Sequence, residues 1–151
     1  MKKYIAWILV ALGIIVDQIT KLLASNIEKS IEIIPGILNF TLVKNEGAAF
    51  GFAQGSSYIL LGISIVICLV VLGTIIFLKC KDENVSAGFY LILSGGIGNI
   101  IDRMFRGFVV DFIDTPFIAT FNIADSLIVI GVIWLILEET IVSVFSKKSV
   151  Q

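Results

Sequence analysis

The stretch from Tyr58 to Leu78 contains 21 consecutive residues without one charged side chain. A helix needs about 20 apolar residues to cross the hydrocarbon core of a bilayer, so this stretch is long enough to span a membrane. The whole chain is 58% hydrophobic and 15% charged, with a mean hydropathy of +1.04. These values lie outside the usual range of soluble domains. The sequence therefore predicts an integral membrane protein.

Three further apolar runs have the length of membrane spans. The first of them follows two lysines and is similar to a signal peptide, but its length and its polar Asp17, Gln18 and Lys21 favour a retained span. We predict an all-α integral membrane protein forming a single membrane-embedded domain over residues 1–151. Its four transmembrane helices are expected at about 4–24, 58–78, 87–105 and 122–142.

Lysine and arginine residues indicate the orientation, because they collect on the cytoplasmic side of membrane proteins. With both termini in the cytoplasm, six basic residues lie in short segments on that side and five lie on or near the other side. The extracytoplasmic segments are then about 25–57 and 106–121. The first contains Ile37–Val43, which alternates and is rich in strand formers. A small extracytoplasmic β-sheet is therefore predicted there.

The chain contains no histidine, which limits the chemistry it can perform. An HExxH zinc site, a Ser-His-Asp triad and a Cys-His pair all require one. The net charge of −1, without a basic arm or patch, excludes nucleic acid as a partner. Catalysis is left to carboxylates or to a Ser-Lys pair such as Ser25 with Lys21 or Lys29.

Three aspartates, Asp111, Asp114 and Asp125, lie in the apolar segment 108–125, which contains no basic residue. An ionisable group at a membrane is a functional-site hypothesis, because its desolvation is costly. Asp111 and Asp125 fall near the outer boundary, where one carboxylate can take a proton from water while the other donates one. This chemistry needs no metal or cofactor. Asp114, followed by Thr-Pro, is expected in a turn, and a helix N-terminal dipole also explains Asp125.

Two further pairs of opposite charge lie near the same ends of the spans. Asp17 and Lys21 are four residues apart and can form a structural ion pair. Asp102 and Arg106 have the same spacing, which leaves Arg103 on another helix face. Arg103 is then available to hold a backbone carbonyl or an anionic group, or to extend to lipid headgroups.

Spacing alone does not bring Asp111 and Asp125 together, so a second function class stays open. A small proton-coupled transporter would also use buried acids, as a relay across the membrane. Such proteins place their sites near the bilayer midplane, whereas the acids here gather at one end of the predicted spans. This distribution favours a site that opens to one side.

Five motifs, in this order along nearly the whole chain, resemble those of the bacterial lipoprotein signal peptidases, also called signal peptidase II. The motifs are Asp17–Lys21 (DQITK), Asn45–Gly51 (NEGAAFG), Gly95–Arg103 (GGIGNIIDR), Val109–Ile113 (VVDFI) and Phe121–Asp125 (FNIAD). The resemblance implies an aspartic endopeptidase of the bacterial cytoplasmic membrane. Such an enzyme removes the signal peptide from diacylglyceryl-modified prolipoproteins by cutting just before the lipidated cysteine.

The resemblance also implies roles for particular residues. Asp111 and Asp125 match the catalytic pair, which activates water near the extracytoplasmic face. The positions that match substrate-binding or supporting residues are Asn45, Gly95, Asn99, Arg103, Asn122, Asp17 and Lys21. A short interfacial helix or loop is expected after the third span. The expected partners are a diacylglyceryl-prolipoprotein and membrane lipids, and we expect the chain to act as a monomer.

Overall fold

The computed structural model describes residues 3–47, 57–81 and 84–148. Its four helices are α1 (Lys3–Ala24), α2 (Ser57–Cys80), α3 (Ala87–Arg106) and α4 (Ile123–Lys148). Its four strands are β1 (Ile31–Ile34), β2 (Leu38–Asn45), β3 (Val109–Thr115) and β4 (Ile118–Phe121). Residues 48–51 of the NEGAAFG motif, and the first of the two N-terminal lysines, lie outside the described residues.

The helices present apolar side chains outwards. On α2, the side chains of Ile59, Val66 and Val70 are each at least 60% exposed. On α4, those of Ile130 and Leu137 are more than half exposed. The fully or nearly fully buried side chains include polar and charged ones: Asp17, Lys21, Ser94, Asn99, Asp102, Asp111 and Asn122. This arrangement is typical of a protein surrounded by lipid, whose ionisable groups face the interior. By length and composition, α1 and α2 are apolar enough to cross a membrane.

Helix α3 packs against each of the other three helices. Ser86 caps its first turn by accepting a hydrogen bond from the backbone N–H of Gly88 at 3.2 Å. Gly107 ends the helix in the left-handed region, with φ 80°, where a side chain would be strained. The helix therefore stops at Arg106 and the chain turns directly into β3.

The strands form one antiparallel sheet in the order β1-β2-β3-β4. Val43 lies opposite Asp111, and Asn45 lies opposite Val109. An apolar cluster that includes Val110 and Phe112 joins the sheet to the end of α1. The strand predicted over residues 37–43 is confirmed as β2, and four helices with a small antiparallel sheet are present as predicted.

Two expectations for the segment 106–121 are wrong. The segment is a β-hairpin, β3–β4, and not an interfacial helix or loop, because Val109–Ile113 is apolar at four of its five positions and pairs with β2. Asp114 is not in the turn: it lies in β3 opposite Asn39. The turn falls at residues 116–117, since proline lacks the N–H that a strand ladder uses.

Candidate active site

Asp111 lies in the middle of the sheet and is 1% exposed. Its two neighbours in β3, Val110 and Phe112, are also buried. The Asn45 side chain donates a hydrogen bond to Asp111 Oδ2 at 2.8 Å, and the Asn122 side chain donates one to Oδ1 at 2.6 Å. Both carboxylate oxygens are therefore held by amide groups from different elements.

Asp125 is the third residue of α4, and Asn122 immediately precedes the helix. The Asp125 backbone N–H donates to Asn122 Oδ1 at 2.9 Å, and the Asn122 backbone N–H donates to Asp125 Oδ2 at 3.3 Å. This reciprocal arrangement is a capping box, with aspartate in the place of the usual glutamate. Asn99 on α3 donates to the other oxygen, Asp125 Oδ1, at 2.7 Å. A structural role for Asp125 at the helix N-terminus is thus present, and it fixes the direction of the carboxylate.

The three asparagines are oriented by their second contacts. Asn45 Oδ1 accepts from the backbone N–H of Gly47 at 3.1 Å, and Asn122 Oδ1 accepts from Asp125. Asn99 Oδ1 accepts from the Asn122 amide at 3.3 Å. Each side-chain NH₂ group is consequently left to donate to a carboxylate. Together with the Asn122 backbone N–H, they supply a donor to all four oxygens of Asp111 and Asp125.

Burial raises the pKa of the Asp111 carboxyl from 3.8 to about 6. The hydrogen bond from Asn45 opposes this rise, the negative charge of Asp125 adds to it, and Asn122 and Lys21 lower the pKa. The influence of Asp125 means that the two carboxyls are electrostatic neighbours in the folded chain. The fold therefore brings together two acids that lie 14 residues apart in the sequence.

The acids also have basic neighbours, which the sequence around them does not show. Lys21 reaches the site from α1, and Arg103 on α3 interacts electrostatically with Asp125 and Asp111. Within the described residues Arg103 forms no side-chain hydrogen bond or ion pair. Asp102 instead pairs with Arg106, as the spacing predicts.

A buried ionic cluster lies beside the two acids. Lys21 Nζ is 2.9 Å from Asp17 Oδ2 and 3.0 Å from Asp102 Oδ2, and all three side chains are fully buried. The ion pair predicted for Asp17 and Lys21 is present. Gln18 donates to Asp17 at 3.1 Å and to Asp102 at 3.2 Å. The bonds from Lys21 and Gln18 to Asp102 join α1 to α3 next to the site.

Sequence reasoning missed the role of Asp102, which it treated only as the partner of Arg106. Asp102 Oδ2 also accepts from the backbone N–H of Val110 at 3.1 Å, so it holds β3 against α3. The four-residue spacing to Arg106 is a signal for a charged cluster, but nothing in it indicates Val110.

Gly95 lies where α3 meets α4, and a Cβ there would be 2.2 Å from the Ala124 carbonyl oxygen. No cluster of three or more potential metal ligands occurs among the described residues.

The family model for signal peptidase (SPase) II matches residues 9–141. Lipoprotein signal peptidases from a Nostoc species, Caldicellulosiruptor bescii and Caldanaerobacter subterraneus are 38%, 37% and 42% identical to this chain. These matches cover 90%, 94% and 85% of this chain, and 89%, 97% and 90% of the relatives.

Two solved structures described as a bacterial membrane enzyme, determined by the in meso method at 2.3 Å and 1.9 Å resolution, have the same fold. Their TM-scores are 0.81 and 0.77, both at 34% identity. The superpositions cover 93% and 91% of this chain, and 90% and 94% of the solved chains. By sequence and by fold, the chain belongs to the signal peptidase II family of proteases.

Proposed function

We propose that Asp111 and Asp125 are the catalytic pair of this peptidase, and that they hydrolyse the bond just before the lipidated cysteine of a diacylglyceryl-modified prolipoprotein. Membership of the family makes the chain a protease that removes signal peptides from prolipoproteins. The observation that carries the catalytic assignment is the geometry of the two carboxyls. Asparagine donors orient all four of their oxygens, next to a half-buried arginine.

The proposed reaction begins with a water molecule between the two carboxyls. The ionised carboxylate takes a proton from this water as its oxygen attacks the scissile carbonyl carbon, and the protonated carboxyl gives its proton to the carbonyl oxygen. The tetrahedral intermediate then collapses and its C–N bond breaks: the carboxyl that took the proton from water gives it to the leaving amine, and the other carboxylate takes back a proton from a hydroxyl of the intermediate. The raised pKa of Asp111 favours it as the proton donor. Asp125, at a helix N-terminus, is suited to carry the negative charge.

Several neighbouring side chains are suited to hold the substrate. Arg103 is half-buried and has no hydrogen-bonding partner among the described residues, so its guanidinium is available for a peptide carbonyl. Asn122 is fully buried and donates to both Asp111 and Asn99, so it supports the site from inside. Asn45 donates only one N–H of its amide, to Asp111, among the described residues, so Asn45 and Arg103 are the side chains that can contact the peptide. In this role they would position the peptide for attack, which converts binding energy into rate.

The topology that fits this function has four spans, α1 to α4, with both termini in the cytoplasm. The outward faces of α3 and α4 support four spans, since their exposed side chains include Phe105, Val129, Ile133 and Trp134. The sheet and the acid pair then lie at the extracytoplasmic ends of the helices, in one domain over residues 1–151. The diacylglyceryl tails would remain in the lipid beside the helices, and a monomer suffices for the site.

A cleavage assay on the purified protein tests the proposal against the transporter alternative. Diacylglyceryl-modified prolipoprotein is expected to be cut before its modified cysteine, and the unlipidated form much more slowly. The acid pair lies at one end of the helices, which favours a peptidase site. A proton relay would need ionisable groups along the spans, whereas α2 carries no charge in its first 22 residues. If the protein cut neither form but moved protons across liposomes, the transporter would be the better assignment.

The pH dependence of cleavage follows from the Asp111 pKa. If Asp111 is the proton donor, it is active below about pH 6 and loses its proton as the pH rises through that value. We expect kcat/KM to fall about tenfold per pH unit above this point, with the apparent value belonging to the coupled pair. Bound substrate excludes water, and this desolvation raises the pKa of the carboxyl further. The fall in kcat should therefore occur at higher pH than the fall in kcat/KM.

An Asn45→Ala variant provides the control for this pH profile. The Asn45 hydrogen bond lowers the Asp111 pKa, so its removal should move the fall in kcat/KM to higher pH. A stopped assay from pH 5 to 9 measures both profiles. A profile of kcat/KM that stays flat across this range in the wild type would refute Asp111 as the donor.

A further inference from the structure

Lys21 uses all of its hydrogen-bonding capacity inside the protein. Its side chain is fully buried, and its ammonium nitrogen is 2.9 Å from Asp17 Oδ2, 3.0 Å from Asp102 Oδ2 and 3.0 Å from Asn99 Oδ1. An ammonium group has three N–H donors, and here there are three acceptors from two helices. No proton of Lys21 is therefore left for substrate or for the attacking water.

The contact with Asn99 leads to Asp125. Because the Asn99 oxygen accepts from Lys21, its NH₂ group must point the other way, and it donates to Asp125 Oδ1 at 2.7 Å. A rotation of this amide by 180° would place an N–H donor against the ammonium group and remove the donor from Asp125. Lys21 therefore sets the orientation of the amide that holds one carboxylate.

The other two contacts lead to the backbone beside each acid. Asp102 Oδ2 accepts from Lys21 and from the backbone N–H of Val110, the residue before Asp111. Asp17 accepts from Lys21 at Oδ2, and at Oδ1 it accepts from the backbone N–H of Ala124 at 2.8 Å. Ala124 is the residue before Asp125. Two successive hydrogen bonds thus link each N–H group of Lys21 either to the Asp125 carboxylate or to the backbone N–H of the residue before Asp111 or Asp125.

We propose that Lys21 is a positioning residue that fixes both carboxylates of the pair from one buried ammonium group, through Asn99, Asp102 and Asp17. The inference rests on the proposed catalytic function of Asp111 and Asp125. Without Lys21, only the longer 3.3 Å hydrogen bond from Asn122 still orients the Asn99 amide, and β3 and the start of α4 lose their shared anchor. A displacement of about 1 Å at reacting groups costs up to about 100-fold in rate.

A Lys21→Met variant tests the proposal, since methionine fills similar space without a donor. We expect kcat on the diacylglyceryl-modified prolipoprotein to fall between about tenfold and 100-fold, while KM changes little, because Lys21 does not touch substrate. Arg106→Met is the matched control: Arg106 also pairs with Asp102, but from a partly exposed position and without contact to Asn99. Its kcat should stay within about threefold of wild type.

A double-mutant cycle separates positioning from a general structural role. If Lys21 acts on Asp125 through Asn99, then Lys21→Met should reduce kcat much less in an Asn99→Leu background than in the wild type. Additive effects of the two substitutions on kcat, or a rise in KM alone, would overturn the proposal. A wild-type rate in Asp111→Asn would instead refute the catalytic pair, so the two failures are distinguishable.

Lys21→Met leaves the buried Asp17 carboxylate without a cation and leaves Asp102 with Arg106 alone, which destabilises the fold. If that variant does not fold, the neutral triple variant Asp17→Asn, Lys21→Met, Asp102→Asn replaces it, because its asparagine oxygens still accept from Ala124 and Val110. Thermal unfolding in detergent establishes that the triple variant is folded. A wild-type kcat in this folded protein would overturn the proposal, and a loss of tenfold or more at unchanged KM would support it.

Discussion

Asp111→Asn and Asp125→Asn are each expected to slow prolipoprotein cleavage by at least about 10⁴-fold, the scale on which hydrolases lose activity when one member of a catalytic unit is removed. An amide can neither take the proton from water nor give one to the carbonyl oxygen. The loss should appear in kcat, because binding of the lipidated peptide uses other groups. Single-turnover cleavage of a diacylglyceryl-modified prolipoprotein, with enzyme in excess, measures the residual rate.

Asp114→Asn is the matched control for these variants. Asp114 lies in the same strand as Asp111 and is only partly buried. Among the described residues its side chain has a single hydrogen bond, a long one of 3.4 Å from Thr120 Oγ1 to Asp114 Oδ1. Its cleavage rate should stay within about threefold of wild type, as for other weakly bonded surface acids. Near-wild-type cleavage by either Asp111→Asn or Asp125→Asn, with the protein folded, would refute the catalytic pair.

The fold of Asp125→Asn is expected to survive, so that its lost activity can be read as chemistry. The capping box needs one acceptor at position 125, and the asparagine oxygen can still accept from the Asn122 backbone N–H. In both variants the new NH₂ group faces a donor: that of Asn45 or of Asn122 in Asp111→Asn, and that of Asn99 in Asp125→Asn. A thermal unfolding curve for each variant separates this local effect from loss of the fold.

The sequence predicts the local features of this protein well. Apolar runs locate the helices because every backbone group in a span must bond within its own helix, so length and hydropathy are strong signals. The alternation in residues 37–43 predicts β2 for a similar reason. The four-residue spacings of Asp17 with Lys21 and of Asp102 with Arg106 predict ion pairs that the structure contains.

The contacts that build the site are not local, and spacing does not reveal them. Lys21 and Asn99 are 78 residues apart, and Asn45 and Asp111 are 66 apart. Asp111 and Asp114 lie in the same strand, and the register of β3 against β2 places Asp111 opposite Val43 and Asp114 opposite Asn39. That register depends on where α3 ends and how closely it packs, which is a property of the whole fold.

The close packing of α3 on α4 is expected to make Gly95 sensitive to the smallest substitution. An alanine Cβ at this position would lie 2.2 Å from the Ala124 carbonyl oxygen and 2.8 Å from Ile128. Carbon and oxygen in contact lie about 3.3 Å apart or more, so the two helices would have to separate by about 1 Å. A backbone carbonyl inside a helix cannot turn away as a flexible side chain can. Small residues at helix contacts are what allow such an approach in membrane proteins.

Gly95→Ala is therefore expected to lower kcat by about 100-fold or more and the free energy of unfolding by about 1–3 kcal/mol. The separation moves Asp125, one residue beyond Ala124, away from Asn99, which stays with α3. Gly62→Ala on α2 is the control, because a Cβ there has no atom within 4 Å. It should leave both kcat and thermal unfolding close to wild type. Equal effects of the two substitutions would mean that added volume at the α3–α4 contact does not reach the acid pair.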